Sequence, residues 1–183
     1  LGLDQEQSLL FTRISPEGTD LLALRPGEDP ALRFRASKDI ARDWRISPDG
    51  SAISYLAPII DSERAVYRTR VMSLDTLDEL LQEGEPEGNI SALAEQYGPV
   101  WTPDGQAITY GREADDDDSK AAVVVSMDGS RELLPAPERG FDVPLGWSKD
   151  GRYLLVRSFD GRNSNQPGIE HTVFGQIRKH APL

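Results

Sequence analysis

Three times in this chain an Asp-Gly turn follows shortly after a tryptophan and is followed by an alternating apolar run. The segments are "WRISPDGSAISY" from Trp44, "WTPDGQAITY" from Trp101 and "WSKDGRYLLV" from Trp147. In Ser47-Pro48-Asp49-Gly50, proline presets φ for the second position of a type I turn and aspartate suits the third. Glycine takes the left-handed position that closes a hairpin with a bulge. Pro103, Asp104 and Gly105 repeat these choices. Before Asp150 and Gly151 a lysine stands in place of the proline, which a type I turn tolerates. Behind the turns, Ile53/Tyr55, Ile108/Tyr110 and Leu154/Val156 alternate as half-buried strands do. Trp44, Trp101 and Trp147 are expected to be mostly buried at equivalent positions near the ends of the preceding strands. Burying one indole contributes about 4–6 kcal/mol before entropy costs.

Within 183 residues there is room for one domain with a real core. No apolar run approaches membrane-spanning length, and no signal peptide is visible, although a start at Leu1 suggests a trimmed or processed upstream segment. Cysteine is absent, which excludes disulfides, thiol nucleophiles and thiolate metal sites. A formal net charge of −11 argues against nucleic acid and against anionic membrane surfaces. The local cluster of Arg33, Arg35, Lys38, Arg42 and Arg45 reads as a solvated strand face rather than a phosphate site.

The repeat organises the whole chain. Equivalent strand positions at Leu9, Ile53, Ile108 and Leu154 lie 44, 55 and 46 residues apart. The implied units run over residues 1–39, 40–97, 98–143 and 144–183. Unit one is the faintest, because Gln5-Glu6 stands where Asp-Gly is expected and "LGLDQEQ" is too short and polar for a convincing first strand. Unit four is expected to end in two strands, "IEHTVFG" and "IRKHAPL". The longer second interval holds "DTLDELLQ", where Thr76 and Glu79 resemble a capping box. A short helical turn and a frayed strand with a loop are both open there.

Four short strands per unit at this period are the signature of a β-propeller blade, a sheet whose neighbours must cover its faces. A plain β-sandwich does not repeat tryptophan, turn and strand at this spacing. The quoted segments, with "VVVSMDGSRELLP", resemble the repeats of the TolB-like β-propellers, the Trp-x-Pro-Asp-Gly family, across nearly the whole chain. Such a resemblance implies an all-β propeller of about four four-stranded blades, and the missing first strand of unit one favours a segment of a larger ring over a closed four-bladed one. It also implies a non-catalytic scaffold for protein–protein binding in the bacterial envelope, periplasmic or extracellular. Similar blades form the substrate-gating propellers of prolyl oligopeptidase-type peptidases, which is the alternative. The motif specifies fold far more than function.

Residues that carry chemistry are few. No Gly-x-Ser-x-Gly nucleophile elbow and no phosphate-cradling glycine loop occur, so no enzymatic activity and no cofactor are expected. The two histidines, His171 and His180, lack metal-ligand spacing, and His171 reads as an ordinary strand residue. Asp115, Asp116, Asp117 and Asp118 form an acidic loop. Four carboxylates suit Ca²⁺, but no glycine or spaced Asp-x-Asp pattern shapes them, and a solvated acidic tip is the plainer reading. Asp160, Gly161, Arg162, Asn163, Ser164 and Asn165 occupy the matching loop of unit four. Because blade strands alternate in direction, Asp61, Glu63 and the four-Asp run are expected on one acidic rim facing a basic protein partner.

Overall fold

The computed structural model describes residues 1–38, 40–61, 64–83, 98–111, 119–120, 122–134, 140–159 and 172–179. These form two units, Leu1–Glu87 and Gly88–Leu183, each made of two four-stranded sheets. Among the described residues there is no helix.

In the first unit, β1 (Gly2–Leu3), β2 (Leu9–Ser15), β3 (Gly18–Leu24) and β4 (Ala31–Ser37) make sheet 1 as an antiparallel meander. Sheet 2 repeats it with β5 (Arg42–Ile46), β6 (Ala52–Asp61), β7 (Arg64–Ser73) and β8 (Glu79–Glu83). Alternation along each strand leaves one apolar face per sheet to bury. Leu10, Leu21 and Ala23 of sheet 1 accordingly pack on Ile53, with Ile46, Met72 and Trp44 of sheet 2 alongside. Trp44 stacks on Tyr55 at 4.3 Å between ring centroids, and Phe34 lies 6.3 and 6.2 Å from the two rings.

The second unit follows the same plan. Sheet 3 holds β9 (Val100–Trp101), β10 (Ala107–Gly111), β12 (Ala122–Ser126) and β13 (Arg131–Leu133). Sheet 4 holds β11 (Ser119–Lys120), β14 (Gly140–Trp147), β15 (Tyr153–Phe159) and β16 (Thr172–Lys179). Val100, Ala107, Ala122 and Val124 meet Leu154, Val156 and Trp147 across the two sheets. The Trp147 indole N–H donates to Thr109 Oγ1 at 2.9 Å, which satisfies a polar group inside this contact.

Several sequence expectations are corrected. The tryptophans are not all equivalent: Trp101 lies opposite Ile108 and Trp147 opposite Leu154, but Ile46, not Trp44, lies opposite Ile53. Trp44 stands two residues earlier, inside a bulge between Arg42 and Arg45 in which Asp43 has φ 56°. Its indole N–H is satisfied by the Ala41 carbonyl at 3.1 Å. Trp101 is buried, whereas Trp44 and Trp147 are half-buried. Unit one does have an inner strand: β1 is two residues long, which suffices because Leu3 pairs with Leu9 and Gly2 with Leu10.

At the other end of the chain, the described part of "IEHTVFG" and "IRKHAPL" does not divide into two strands. Thr172 to Lys179 is one strand running along β15, and sheet 4 gains its fourth member from β11, parallel to the start of β14. That inner strand begins at Gly140, ahead of the break expected at residue 144. The helical option at Thr76 is also closed. Ser73 Oγ accepts from the amides of Asp75 and Thr76, Leu77 turns through φ 61°, and Glu79–Glu83 continues as strand β8. The Glu79 carboxylate binds Arg70 on β7 instead of capping a helix.

Truncation of buried Trp101 to alanine is expected to cost about 3–5 kcal/mol in urea denaturation, as for other large core aromatics. A loss below ~1 kcal/mol would contradict its place in the core.

Candidate protein-binding rims

Each meander has two ends. One carries the turns between its first and second strands and between its third and fourth, and the other carries the hairpins between the second and third.

At the first end, the tight turns are built on a hydroxyl that the sequence reading passed over. Ser47, Thr102 and Ser148 each stand three residues before the glycine and two before the aspartate. Each hydroxyl donates to that carboxylate, at 2.6, 2.7 and 2.7 Å. It also accepts the N–H five residues ahead, from Ala52, Ala107 and Tyr153 at 2.9, 3.0 and 3.0 Å. The carboxylate then accepts the N–H of Ser51, Gln106 or Arg152. Gly50, Gly105 and Gly151 close the turns at φ 73°, 72° and 70°. Pro48 and Pro103 occupy the position after the hydroxyl, where a fixed φ suits the turn. In the first sheet Asp4 and Gln7 take over, not Gln5 and Glu6: Asp4 Oδ1 accepts from Glu6 and Ser8, and Gln7 adopts φ 61°.

These contacts set the charge state of the turns. The Ser47 hydroxyl holds Asp49 below the usual carboxylate range, and the Gln106 amide does so for Asp104. The Ser148 hydroxyl, helped by the Arg152 amide, lowers Asp150 to about 2. In the matching turn between β12 and β13, the Ser130 hydroxyl lowers Asp128.

In the first unit the two inner turns touch. A Cβ on Gly50 would come within 3.1 Å of the Gln5 amide nitrogen, so the sheet 2 turn is seated on that of sheet 1. At the opposite end, the Ala41 amide donates to Thr19 Oγ1 at 3.0 Å, linking the start of β5 to β3 beside the β2–β3 hairpin. The two sheets therefore point the same way. Equivalent hairpins emerge together, so Pro16 and Glu17 lie at the same end as Asp61, whose partner in register is Arg64.

In the second unit, Gly111 ends β10 close against the backbone of Asp142, and β11 returns alongside Gly140 and Phe141. Phe159 pairs with Thr172 at this same end. The strand ends that flank residues 112–118 and 160–171 thus lie together. Glu63, Asp115, Asp116, Asp117 and Asp118 are outside the described residues, as are the loop from Asp160 to Asn165, His171 and His180. Among the described residues no three histidine, aspartate or glutamate side chains gather as a metal site.

In the basic cluster Arg35, Lys38 and Arg45 are exposed, and Arg33, Arg35 and Arg42 also engage partners within the chain. Arg35 binds the fully buried Asp20 at 2.8 Å and Glu17 at 3.0 Å, and Arg13 binds the other oxygen of Asp20 at 2.8 Å. Arg35 first, then Arg13, holds the Asp20 carboxyl below its ordinary range against the opposing effect of burial. Arg33 donates to the Leu74 carbonyl, and the Arg42 guanidinium lies 4.2 Å from the Tyr67 ring centroid. Asp20 carries no periodic signal, and only the pairing of β2, β3 and β4 brings its partners together.

Four-stranded sheets, three of them antiparallel meanders, stacked in pairs within each unit define an all-β fold of the propeller class. Solved structures that share it include one from Agrobacterium tumefaciens described as TolB, with TM-score 0.61 and 20% identity, covering 96% of this chain and 64% of that one. TolB from Acinetobacter baumannii matches with TM-score 0.53 and 15% identity over 94% of this chain and 40% of its own. Prolyl oligopeptidase B from Galerina marginata, bound to a 35mer hydrolysis and macrocyclization substrate, matches with TM-score 0.59 and 13% identity over 86% and 25%. The chain therefore spans less than two thirds of the length of each of these proteins. No family model matches the chain, and no curated protein matches it in sequence.

Replacing Ser47 by alanine leaves the Ala52 amide without its side-chain acceptor and should cost about 1–3 kcal/mol in urea denaturation. Folding lowers the turn carboxyls, so their contribution is complete above the unfolded value of ~3.9 and is lost as pH falls toward the folded one. For Asp150 that window closes at about 2. Acid titration of stability should therefore steepen below pH ~4, and D150N should flatten that slope. An unchanged slope would separate Asp150 from acid stability.

Proposed function

We propose that this chain is a non-catalytic β-propeller scaffold that binds another protein and works in the bacterial envelope or outside the cell. The observation that carries this reading is the likeness to two TolB structures over 96% and 94% of the chain. Supporting it, the sequence has no nucleophile elbow and no histidine pair at metal-binding spacing. Among the described residues no helix is long and apolar enough to cross a membrane.

The contact surface in this reading is the hairpin end, with Asp61, Glu63, Asp115, Asp116, Asp117 and Asp118 as its charged groups and a basic surface as its partner. Support comes from the placement of the flanking strand ends and from the net charge of −11. Opposite charge steers encounter and is screened by salt.

A second reading is the accessory propeller of a prolyl oligopeptidase-type serine peptidase. It is favoured by a prolyl endopeptidase structure that covers 95% of this chain at TM-score 0.60. A hydrolase segment with a nucleophile elbow encoded after residue 183 of the same gene would select this reading. Further blades or a stop codon there would select the scaffold.

Capture from a bacterial envelope extract on the immobilised chain, followed by association kinetics of the captured protein, tests the rim. The on-rate should fall about tenfold or more as salt rises from low to high ionic strength. Changing all four residues from Asp115 to Asp118 to asparagine should remove most of that dependence. An on-rate indifferent to both changes would take the acidic run out of the interface.

A further inference from the structure

Four Asp-Gly pairs lie among the described residues, at Asp49-Gly50, Asp104-Gly105, Asp128-Gly129 and Asp150-Gly151. Such a pair is chemically reactive, because glycine has no side chain to shield its amide nitrogen from the preceding carboxyl. The nitrogen can attack the aspartate Cγ, and one carboxyl oxygen then leaves as water, taking the amide proton and the carboxyl proton. The product is a five-membered succinimide, to which water adds back. Opening at the main-chain carbonyl leaves the glycine nitrogen bonded to Cγ. That product is isoaspartate, an isomer with one extra methylene in the backbone, and its formation needs no oxidant, cofactor or enzyme.

A folded turn obstructs this attack, and the four turns are held unequally. Some restraints are common to all. Each glycine amide donates to the carbonyl three residues back, on Ser47, Thr102, Ser126 or Ser148, at 2.9, 2.9, 2.8 and 2.9 Å. Each carboxyl is also held below its ordinary range, so ionisation does not single one out. The difference is the hydroxyl latch. Ser47, Thr102 and Ser148 clasp the carboxylate and, across the turn, the amide of Ala52, Ala107 or Tyr153. Between β12 and β13 the turn is one residue shorter, closed from the Ser126 N–H to the Ser130 carbonyl. Ser126 stands where the latch would be, yet Asp128 takes its hydrogen bonds from Ser130, from the N–H at 2.9 Å and from Oγ at 2.7 Å. Asp128, Gly129 and Ser130 are all exposed. They lead into β13, a three-residue strand at the edge of sheet 3, on which Leu133 is 63% exposed. A segment with so little burial opens locally at low cost.

We propose that Asp128-Gly129 is a site of spontaneous backbone modification, which converts to isoaspartate ahead of the other three described pairs because its turn lacks the hydroxyl latch that they share. The added methylene lengthens the loop that the Gly129 and Ser126 amides close, so conversion disturbs the start of β13.

Peptide mapping of the folded chain, after weeks at physiological temperature and neutral pH, tests this. Trypsin cleavage after Lys120 and Arg131 releases residues 121–131, in which Asp128 is the only aspartate. Chromatography separates the isoaspartyl isomer, and electron-transfer fragmentation identifies it by cleaving the bond that its extra methylene introduces. It should accumulate there at least about fivefold faster than at Asp49, Asp104 or Asp150. In urea the four rates should converge to within about twofold, since each aspartate precedes a glycine and the turns are gone. Ser148→Ala removes the latch at Asp150 and should raise the rate at that residue at least about fivefold. The rate at Asp128 in the same variant reports whether the rest of the fold is intact. Thr102→Ala, read at Asp104, replaces Ser148→Ala if that variant does not fold. Equal rates at all four pairs in the folded chain overturn the proposal. So does a latched pair that outpaces Asp128, or a latch variant whose own aspartate reacts no faster than before.

Discussion

One hydroxyl, placed two residues before an aspartate and three before a glycine, fixes the start of three of the four sheets. Ser47, Thr102 and Ser148 each bind the turn carboxylate and the first amide of the returning strand at once. That double contact ties the turn to the register of the strand behind it. A slip of one residue would send every side chain of that strand to the wrong face. With register held, Ile53, Ile108 and Leu154 all fall on inward positions, and each is essentially without solvent contact. The stacking of sheets follows from this placement, since a single meander has no second layer of its own to bury against.

The aromatic residues play a looser part than the turns. Trp101 and Trp147 share a register position, but sheet 2 fills that position with Ile46 and uses Trp44 two residues earlier. The displaced ring stacks on Tyr55 beside Phe34 and fills the first unit's core by a different route. The two indoles whose N–H bonds are defined also find different acceptors: Ala41 O for Trp44, and Thr109 Oγ1 for Trp147. Packing thus accommodates a two-residue shift of a large side chain, whereas Ser47, Thr102 and Ser148 keep one hydrogen-bonded spacing in all three turns that use it. Directional bonds specify position more sharply than apolar contact does.

Within such a scaffold the conserved geometry of the strands leaves the two ends free to differ. At the turn end, short loops are closed by their own side chains, and their carboxylates are occupied by hydroxyls and amides. At the hairpin end the chain spends its longer connections, between Gly111 and Ser119 and between Phe159 and Thr172. Loops on a rigid frame are where binding residues concentrate.

The sequence alone determined the all-β class, the four-fold repeat, the type and place of the tight turns, and the apolar alternation of β6, β10 and β15. These are local properties, written in residues within a few positions of one another, where proline, aspartate and glycine have conformational preferences of their own. Only the tertiary structure decided what depends on partners distant in the chain. It turned the second half of "DTLDELLQ", from Glu79, into a strand because β7 offered an edge and Arg70 offered Glu79 a charge. It made a two-residue strand of Gly2 and Leu3, and it made Thr172 to Lys179 one strand, β16, because β15 pairs along that whole length across a register shift between Val156 and Ser158. It split the basic cluster among Asp20, Leu74 and Tyr67, since an arginine's partner is chosen by which strand lies beside it. Strand pairing and ion pairing are settled across space, and a pattern of neighbours along the chain carries no record of them.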